Sequence, residues 1–386
     1  MGDIKVGVIG TGFSAMAHIE ALQRVPSVQV VAIASSRLSH AEEAAARYRI
    51  PMYYGDAMEL IQDPDIDVVH NCTPNHLHYT FNKAALLAGK HVLSEKPLSV
   101  TVEESDELQK LAREKGLVAG VAFIYRHYPL VEEIKQQIAS RTYGKPHYVL
   151  GGYLQDWLLY ETDYNWRMDS RLNGPSRAVA DIGSHWCDTV QYVLGTRIVS
   201  VFADLGIVHP VRYKPKDERA TFTNAAPKPE DCERVEVDTE DFGSILVRFE
   251  DGTKGVFCIS QVSPGRKNKL YFEISAEKGA LRWDQEEANR LWIGSRDVPN
   301  QIQMRDASLM SSQAASITHY PGGHEEGWPD ALKNLLLDYY SLIGKRRARQ
   351  TDETSSKFAT FNQACGIMRI VEAVLQSHER QRWVDV

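Results

Sequence analysis

The chain has 386 residues, with 44 Lys+Arg against 51 Asp+Glu and a formal net charge of −7. Its 43% apolar and 25% charged composition is that of a globular protein of two or three domains, which excludes a disordered or low-complexity chain. The negative balance argues against a nucleic-acid backbone as partner, and no apolar run approaches the roughly 20 residues that a membrane span needs. Cys72, Cys187, Cys232, Cys258 and Cys365 are far apart with no CxxC pair, so reduced packing residues are expected, without a disulfide framework or a metal site. The first residues lead into a strand with no signal-peptide pattern, and a soluble cytoplasmic protein is expected.

The first strand is Ile4-Lys5-Val6-Gly7-Val8-Ile9. It runs into Gly10-Thr11-Gly12-Phe13-Ser14-Ala15, which is G-x-G-x-x-A, a permitted form of the dinucleotide fingerprint. Gly10 allows the tight turn, Gly12 lets backbone approach a pyrophosphate, and Ala15 permits close helix–strand packing. A helix from Met16 to Arg24 and a second strand at 28–34 supply the context that a bare glycine triplet lacks. That strand ends in Ser35-Ser36-Arg37, where NAD enzymes usually carry Asp or Glu for the ribose 2′-hydroxyl. Two hydroxyls and a guanidinium suit a 2′-phosphate, so NADP is favoured over NAD. The alternative is a solvated Arg37 and an NAD site.

Helices and strands continue to alternate. A helix is expected over 41–48, a short strand at Tyr53-Tyr54, a helical turn at 57–61 and a strand at 67–71. A helix over 79–88 stopped by Gly89, a strand at 91–94, a helix over 102–115 and a strand over 117–123 complete a domain of residues 1–125. Thr73, Pro74, Asn75 and His78 follow a strand's carboxyl end, the edge where ligands of open α/β sheets collect, and are expected to contact the cofactor. His76-x-His78 diverges on a helix and no HExxH pattern occurs, so no metal is expected there. Glu95-Lys96-Pro97 ends the next strand. Lys96 is placed either to reach a cofactor ribose and a substrate hydroxyl or as an ordinary Lys-Pro loop element, and Pro97 fixes the turn, with a cis bond as one option.

The second domain, 126–386, opens with a strand over 145–153 that brings Tyr153 to its end. Trp157, Tyr160, Tyr164 and Trp166 follow, with Asn165 and Arg167 among them. Such rings pack on the C–H faces of sugars or form a subcore under a loop. Asp181 and His185 are four apart, one turn of a helix that Gly195 ends, and as an isolated pair they read more readily as a helix-surface contact than as a functional pair. Residues 209–234 read as a long excursion, a lid or an interface arm. Strands at 242–249, 254–261, 269–275 and 280–284 are joined by turns at Asp251-Gly252 and Lys278-Gly279. Arg266-Lys267-Asn268 reads as a substrate contact, a subunit contact or a solvated turn. A glycine-rich loop, 321–328, carries His324 ahead of a helix over 330–343, and a last helix over about 355–379 is expected to pack back on the body.

Taken together, Gly10–Ala15, Thr73-Pro74-Asn75-His76, Glu95-Lys96-Pro97 and Asp181-Ile182-Gly183-Ser184-His185 occur in the order of the Gfo/Idh/MocA family, and the whole chain resembles that family of sugar and cyclitol oxidoreductases. The resemblance implies an N-terminal Rossmann domain with a doubly wound parallel sheet. It also implies a C-terminal α/β domain with a large, mostly antiparallel open sheet, through which a homo-oligomer, dimer or tetramer, is expected to form. It implies that Lys96, Asp181 and His185 are catalytic. By motif position Glu95, Lys96, Trp166 and Arg167 lie near the cofactor, NADP or NAD. The expected substrate contacts are Lys96, Tyr153, Trp157, Asn165, Asp181, His185 and, from a loop that closes the sugar pocket, His324. The sequence departs from the family pattern in lacking the acidic residue after the second strand, and in carrying Gly174-Pro175-Ser176-Arg177 where many members have glycines and small residues.

The expected reaction moves a hydride between NAD(P) and a secondary hydroxyl or ketone of a sugar, glycoside or inositol. Two other readings stay open at this point: an NAD(P)-retaining, redox-assisted glycosidase, and a non-catalytic nucleotide-sensing regulator on the same fold.

Overall fold

The Val/Ile-rich run Ile4–Ile9 forms β1, buried on both faces as a central parallel strand must be. The computed structural model describes residues 3–216, 231–348 and 356–386. Helices and strands alternate as α1 (Phe13–Leu22), β2 (Val28–Ala34), α2 (Leu38–Tyr48), β3 (Met52–Tyr54) and α3 (Ala57–Gln62). The pattern continues with β4 (Val68–Asn71), α4 (His78–Leu87), β5 (His91–Ser94), α5 (Val102–Glu114) and β6 (Ala119–Val121). Next come α6 (Pro129–Ala139), β7 (Pro146–Leu154), α7 (Ser170–Asn173), α8 (Ser184–Leu194), β8 (Ile198–Gly206), β9 (Val211–Pro215) and β10 (Cys232–Glu236). They are followed by β11 (Phe242–Phe249), β12 (Lys254–Ser260), β13 (Lys269–Ala276), β14 (Gly279–Asp284), β15 (Arg290–Gly294), β16 (Gln301–Met304) and α9 (Ser312–Ala315). The chain closes with α10 (Trp328–Arg347), β17 (Ala359–Thr360), α11 (Phe361–Arg380) and β18 (Val384–Asp385).

Two compact units result: Met1–Tyr128 with Gly327–Met368, and Pro129–Glu326 with Arg369–Val386. A single division at 125 therefore differs from the observed one chiefly in residues 327–368. They return to the first unit because α10 carries an apolar face, Leu332, Leu335, Leu336, Tyr339 and Ile343, all buried. α10 packs against α1, the Tyr339 hydroxyl donates to Val118 O at 3.2 Å, and β17 adds antiparallel to β6.

In the first unit the described strands form one sheet in the order β17-β6-β5-β4-β1-β2-β3, parallel except at β17. The order reverses between β1 and β4, the switch point where doubly wound sheets bind ligands. Register aligns the strand ends: Ile9 pairs with Ala34 and Asn71, and Asn71 with Ser94. The next residues, Ser35, Gly10, Cys72 and Glu95, therefore lie side by side along one edge.

In the second unit a nine-stranded sheet runs β16-β15-β14-β13-β7-β12-β11-β8-β18, with β7 and β12 parallel and the other pairs antiparallel. α6 and α8 pack on one face. Trp186 of α8 stacks on Phe257, centroids 4.3 Å apart, and donates to Tyr271 O at 3.1 Å. A Cβ on Gly151 would lie 2.6 Å from the Trp186 indole nitrogen, so the strand needs glycine where the helix docks. On the opposite face the registers place Phe202, Leu246, Val256, Leu150, Glu273, Arg282, Trp292 and Ile302 in one cross-strand row. Leu246 is 44% and Ile302 54% exposed.

Within the expected excursion over 209–234, β9 and β10 pair as a two-stranded antiparallel sheet, and residues 217–230 lie outside the described residues. None of the five cysteines is in a disulfide; Cys72, Cys187 and Cys365 are buried, but Cys258 is exposed and is not a packing residue. Among the described residues no helix is long and apolar enough to cross a membrane.

Candidate active site

The glycine turn at the sheet edge is required by the fold itself. Gly10 has φ +113°, and a Cβ there would lie 2.6 Å from Cys72 O. Gly12 precedes α1 and offers no side chain to cap its first-turn amides, so those N–H groups and the helix dipole favour an anion. Ala15 is fully buried, whereas Phe13 is 62% exposed and packs on Trp328 with centroids 5.7 Å apart. Ser14 is half-buried in the same turn. Thr11 and Ser35 bring their hydroxyls within 3.4 Å, and Ser36 and Arg37 are exposed beyond them. The chemistry of this set fits a dinucleotide: amides for the pyrophosphate, and hydroxyls with a guanidinium at the end of β2.

The 73–78 segment is braced rather than open. Asn71 Oδ1 accepts from Thr73 Oγ1 at 2.7 Å, Pro74 is half-buried, and Asn75 is buried. His78 is fully buried, with Nδ1 2.6 Å from Pro97 O and Nε2 2.8 Å from Thr73 O. Burial pulls its pKa down, while the two carbonyls act the other way. The ring of His78, expected near the cofactor, thus lies between the loop after β4 and the loop after β5.

Glu95 and Lys96 follow β5, and the Lys96–Pro97 bond is cis. Lys96 N donates to Glu95 Oε2 at 3.1 Å. Beneath the turn, Glu95 Oε1 lies 3.3 Å from Nε2 of the buried His18. His18 Nδ1 is 2.9 Å from His70 Nδ1, and His70 Nε2 is 2.8 Å from the Tyr340 hydroxyl. Burial works against the His18 charge, but Cys72 and Glu95 outweigh it and push His18 up to about 10. Burial pushes the Cys72 thiol up, while His18 pulls it the other way. Burial likewise opposes the Glu95 charge, yet His18 and Lys96 pull Glu95 down to about 2. Burial and the His18 cation keep His70 neutral.

In the second unit Asp181 sits in a π-turn, Val179–Gly183, that leads into α8. Such turns are rare and frequent at functional sites. The helix start is held from outside: Glu240 Oε1 accepts from Ser176 Oγ at 2.7 Å, Arg177 N at 3.0 Å and Val179 N at 2.9 Å. Asp181 accepts from Gln261 Nε2 at 2.8 Å and lies 3.5 Å from Arg167 Nε. The guanidinium of Arg167, a residue expected near the cofactor, reaches Asp181 and covers the Trp166 ring at 4.5 Å. Asn165 Oδ1 accepts from Arg167 N and Nη1, both at 3.2 Å, which holds that turn.

His185 is buried in the first turn of α8, and its ring is 6.1 Å from that of Tyr153. A polar chain runs away from it. The Tyr153 hydroxyl and Gln155 Nε2 both donate to Asn268 Oδ1, and Trp157 Nε1 donates to Gln155 Oε1 at 2.9 Å. His324 is exposed on a loop whose carbonyls at 320, 321 and 324 accept from the buried Arg305. Sequence reading did not select His18, Gln155, Glu240 or Gln261, because each acts on a residue far away in the chain. A motif scan carries no signal for such pairs; only the unusual Arg177 was visible, and the structure places it fully buried.

A six-stranded parallel sheet with a bare helix N-terminus at its switch point, joined in the chain to a unit bearing Asp181 and His185, defines a nicotinamide-nucleotide oxidoreductase. Residues 4–123 match the oxidoreductase family with an NAD-binding Rossmann fold, and residues 131–282 match the GFO/IDH/MocA C-terminal domain. Levoglucosan dehydrogenase of Pseudarthrobacter phenanthrenivorans is 30% identical, over 100% of this chain and 99% of that protein. Myo-inositol 2-dehydrogenase of Thermotoga maritima is 29% identical, over 52% of this chain and 58% of its own. A solved levoglucosan dehydrogenase, in complex with NADH and L-sorbose, superposes with a TM-score of 0.88 at 28% identity, covering 100% of this chain and 99% of that one. The chain belongs to the Gfo/Idh/MocA family and is an NAD-binding oxidoreductase.

Proposed function

We propose that the protein is a dehydrogenase, or in reverse a reductase, for a secondary hydroxyl on a sugar, glycoside or cyclitol ring. The observation that carries this reading is the Asp181–His185 turn, with its carboxylate oriented by Arg167 and Gln261 and its imidazole beside Tyr153. The full-length likeness to levoglucosan dehydrogenase supports the substrate class.

A nicotinamide nucleotide bound at Gly10–Ala15 supplies the two-electron acceptor or donor. Oxidation of a carbinol also releases the hydroxyl proton, and His185 accepts it. Lys96 stabilises the alkoxide that develops on the same oxygen, and Asp181 orients the imidazole. In reduction His185 returns the proton. Tyr153, Asn268, Gln155 and Trp157 are linked by hydrogen bonds into a set of aromatic and amide groups that suits a ring with several hydroxyls.

At the end of β2 no carboxylate stands ready for a ribose 2′-hydroxyl, and Ser35, Ser36 and Arg37 favour NADP(H), with NAD(H) accepted. The protein forms a homo-oligomer through the face of the nine-stranded sheet on which Leu246 and Ile302 are exposed.

A panel of sugars, anhydrosugars and cyclitols assayed with both nucleotides tests the reading. Sustained substrate-dependent change in nicotinamide absorbance is expected, with Lys96→Met and His185→Ala each lowering kcat by about 10²–10⁴-fold. Turnover by Lys96→Met at the wild-type rate would overturn the scheme. Tighter NAD than NADP binding would overturn the role of Arg37.

A further inference from the structure

The best-buried polar chain in the second unit ends on Asp181. Gln261, just past β12, is fully buried. Its backbone is pinned on both sides: its N–H donates to Asp241 O at 3.0 Å, and its carbonyl accepts from Leu158 N at 3.1 Å. Its side chain lies between Arg177 and Asp181. Arg177 is also fully buried and donates through Nη1 to Gln261 Oε1 at 3.1 Å, through Nε to Thr239 Oγ1 at 3.2 Å, and through Nη2 to Asp241 Oδ1.

A guanidinium has only donors, so the Gln261 oxygen must face Arg177. The amide NH2 must then face Asp181, to which Nε2 donates at 2.8 Å. Hydrogen-bond polarity is thus dictated outward from the buried Asp241 carboxylate, through Arg177 and Gln261, to Asp181. The Asp181 N–H also donates to Arg177 O at 2.8 Å, so the same arginine fixes both the turn and, through Gln261, its carboxylate.

We infer that Gln261 is a positioning residue for the reaction: it presents an obligate donor to Asp181, which holds that carboxylate in one rotation and as an acceptor. The inference rests on the dehydrogenase reading, in which Asp181 orients His185. Glutamine suits this place because its neutral amide accepts from a guanidinium at one end and donates to a carboxylate at the other. The charged groups that face residue 261 are Arg177 and Asp181. Arg167 lies beyond Asp181, and Asp241 and Glu240 lie beyond Arg177.

Gln261→Glu is the informative variant. It keeps the volume and the acceptor for Arg177, but sets a second carboxylate against Asp181. When that Glu is ionised the donor is gone and two like charges face each other; when it is protonated its O–H replaces the lost N–H. The kcat ratio of Gln261→Glu to wild type should therefore fall on the order of 10²-fold at alkaline pH and recover as pH is lowered, with little change in KM for the nucleotide. Gln261→Met, which has no donor at any pH, should show the loss without recovery. Thermal melts of both variants ensure that folded protein is compared. A kcat ratio for Gln261→Glu that does not vary with pH, or a kcat for Gln261→Met within twofold of wild type, would overturn the inference while wild-type turnover leaves the dehydrogenase reading standing. Absence of nicotinamide-linked turnover by the wild type over the whole panel overturns that reading, and the inference falls with it.

Discussion

Replacing Asp241 by Asn removes the carboxylate that two buried guanidiniums share. Asp241 is fully buried between the equally buried Arg177 and Arg212. One oxygen accepts from both guanidiniums, and the other from Val208 N at 2.7 Å and His209 N at 3.3 Å. Burial opposes the carboxylate charge, and the two arginines hold it below the ordinary range. An Asn amide satisfies only one side: either its NH2 meets two backbone N–H donors, or it meets two guanidiniums. In both orientations two buried cations lose the carboxylate that they share. Breaking a buried pair in this way costs about 3–5 kcal/mol, a large part of the total stability of an ordinary domain. At roughly 2–4 °C per kcal/mol for a domain of this size, the melting temperature should fall by roughly 10 °C. Calorimetry on the full chain measures it, and the Asp241→Asn, Arg177→Met double variant should lose less than the two single variants together. A loss below about 1 kcal/mol would refute the reasoning, because it would mean that the arginines do not depend on this carboxylate.

The His18–Glu95 pair gives a stability profile with two slopes. The raised pKa of His18 contributes fully below 6.5 and fades as pH rises towards about 10, whereas the lowered pKa of Glu95 contributes above 4.5 and fades as pH falls towards about 2. The melting-temperature difference between wild type and His18→Gln should thus peak between these limits and shrink on both sides; a flat difference would contradict the ion pair. Gly10→Ala puts a Cβ 2.6 Å from Cys72 O at φ +113°, and should cost about 1–3 kcal/mol of strain and abolish nucleotide binding in a fluorescence titration; wild-type affinity would refute this. Leu246→Glu places a charge on the exposed face of the nine-stranded sheet, beside Phe202 and Val256, and light scattering should show subunits separating; an unchanged mass would count against that face as the interface.

The sequence exposed the nucleotide half well because each of its signals is local. Val and Ile in β1, the glycines at 10 and 12, and Gly89 and Gly116 after their helices each report a backbone condition at their own position. The sheet edge was also readable, since parallel strands in register bring Ser35, Gly10, Cys72 and Glu95 together once the strands are known. The second unit was harder. β8, β15 and β16 passed unnoticed, and Asp181 was expected in a plain helix rather than a π-turn. The brace on that turn comes from Glu240 and Gln261, about 60 and 80 residues away in the chain, and no periodicity marks such a pair.

Each unit is assembled from two stretches, so the chain passes between them after residues 128, 326 and 368, the last inside α11. During synthesis the nucleotide unit is therefore begun first and finished late. Until α10 and β17 emerge, the edge of β6 has no antiparallel neighbour and the surface that α10 covers is open to solvent. A chain cut short before about residue 360 would lose the part of the fold that its first hundred residues need, and nascent chains pass through that same vulnerable state on the ribosome.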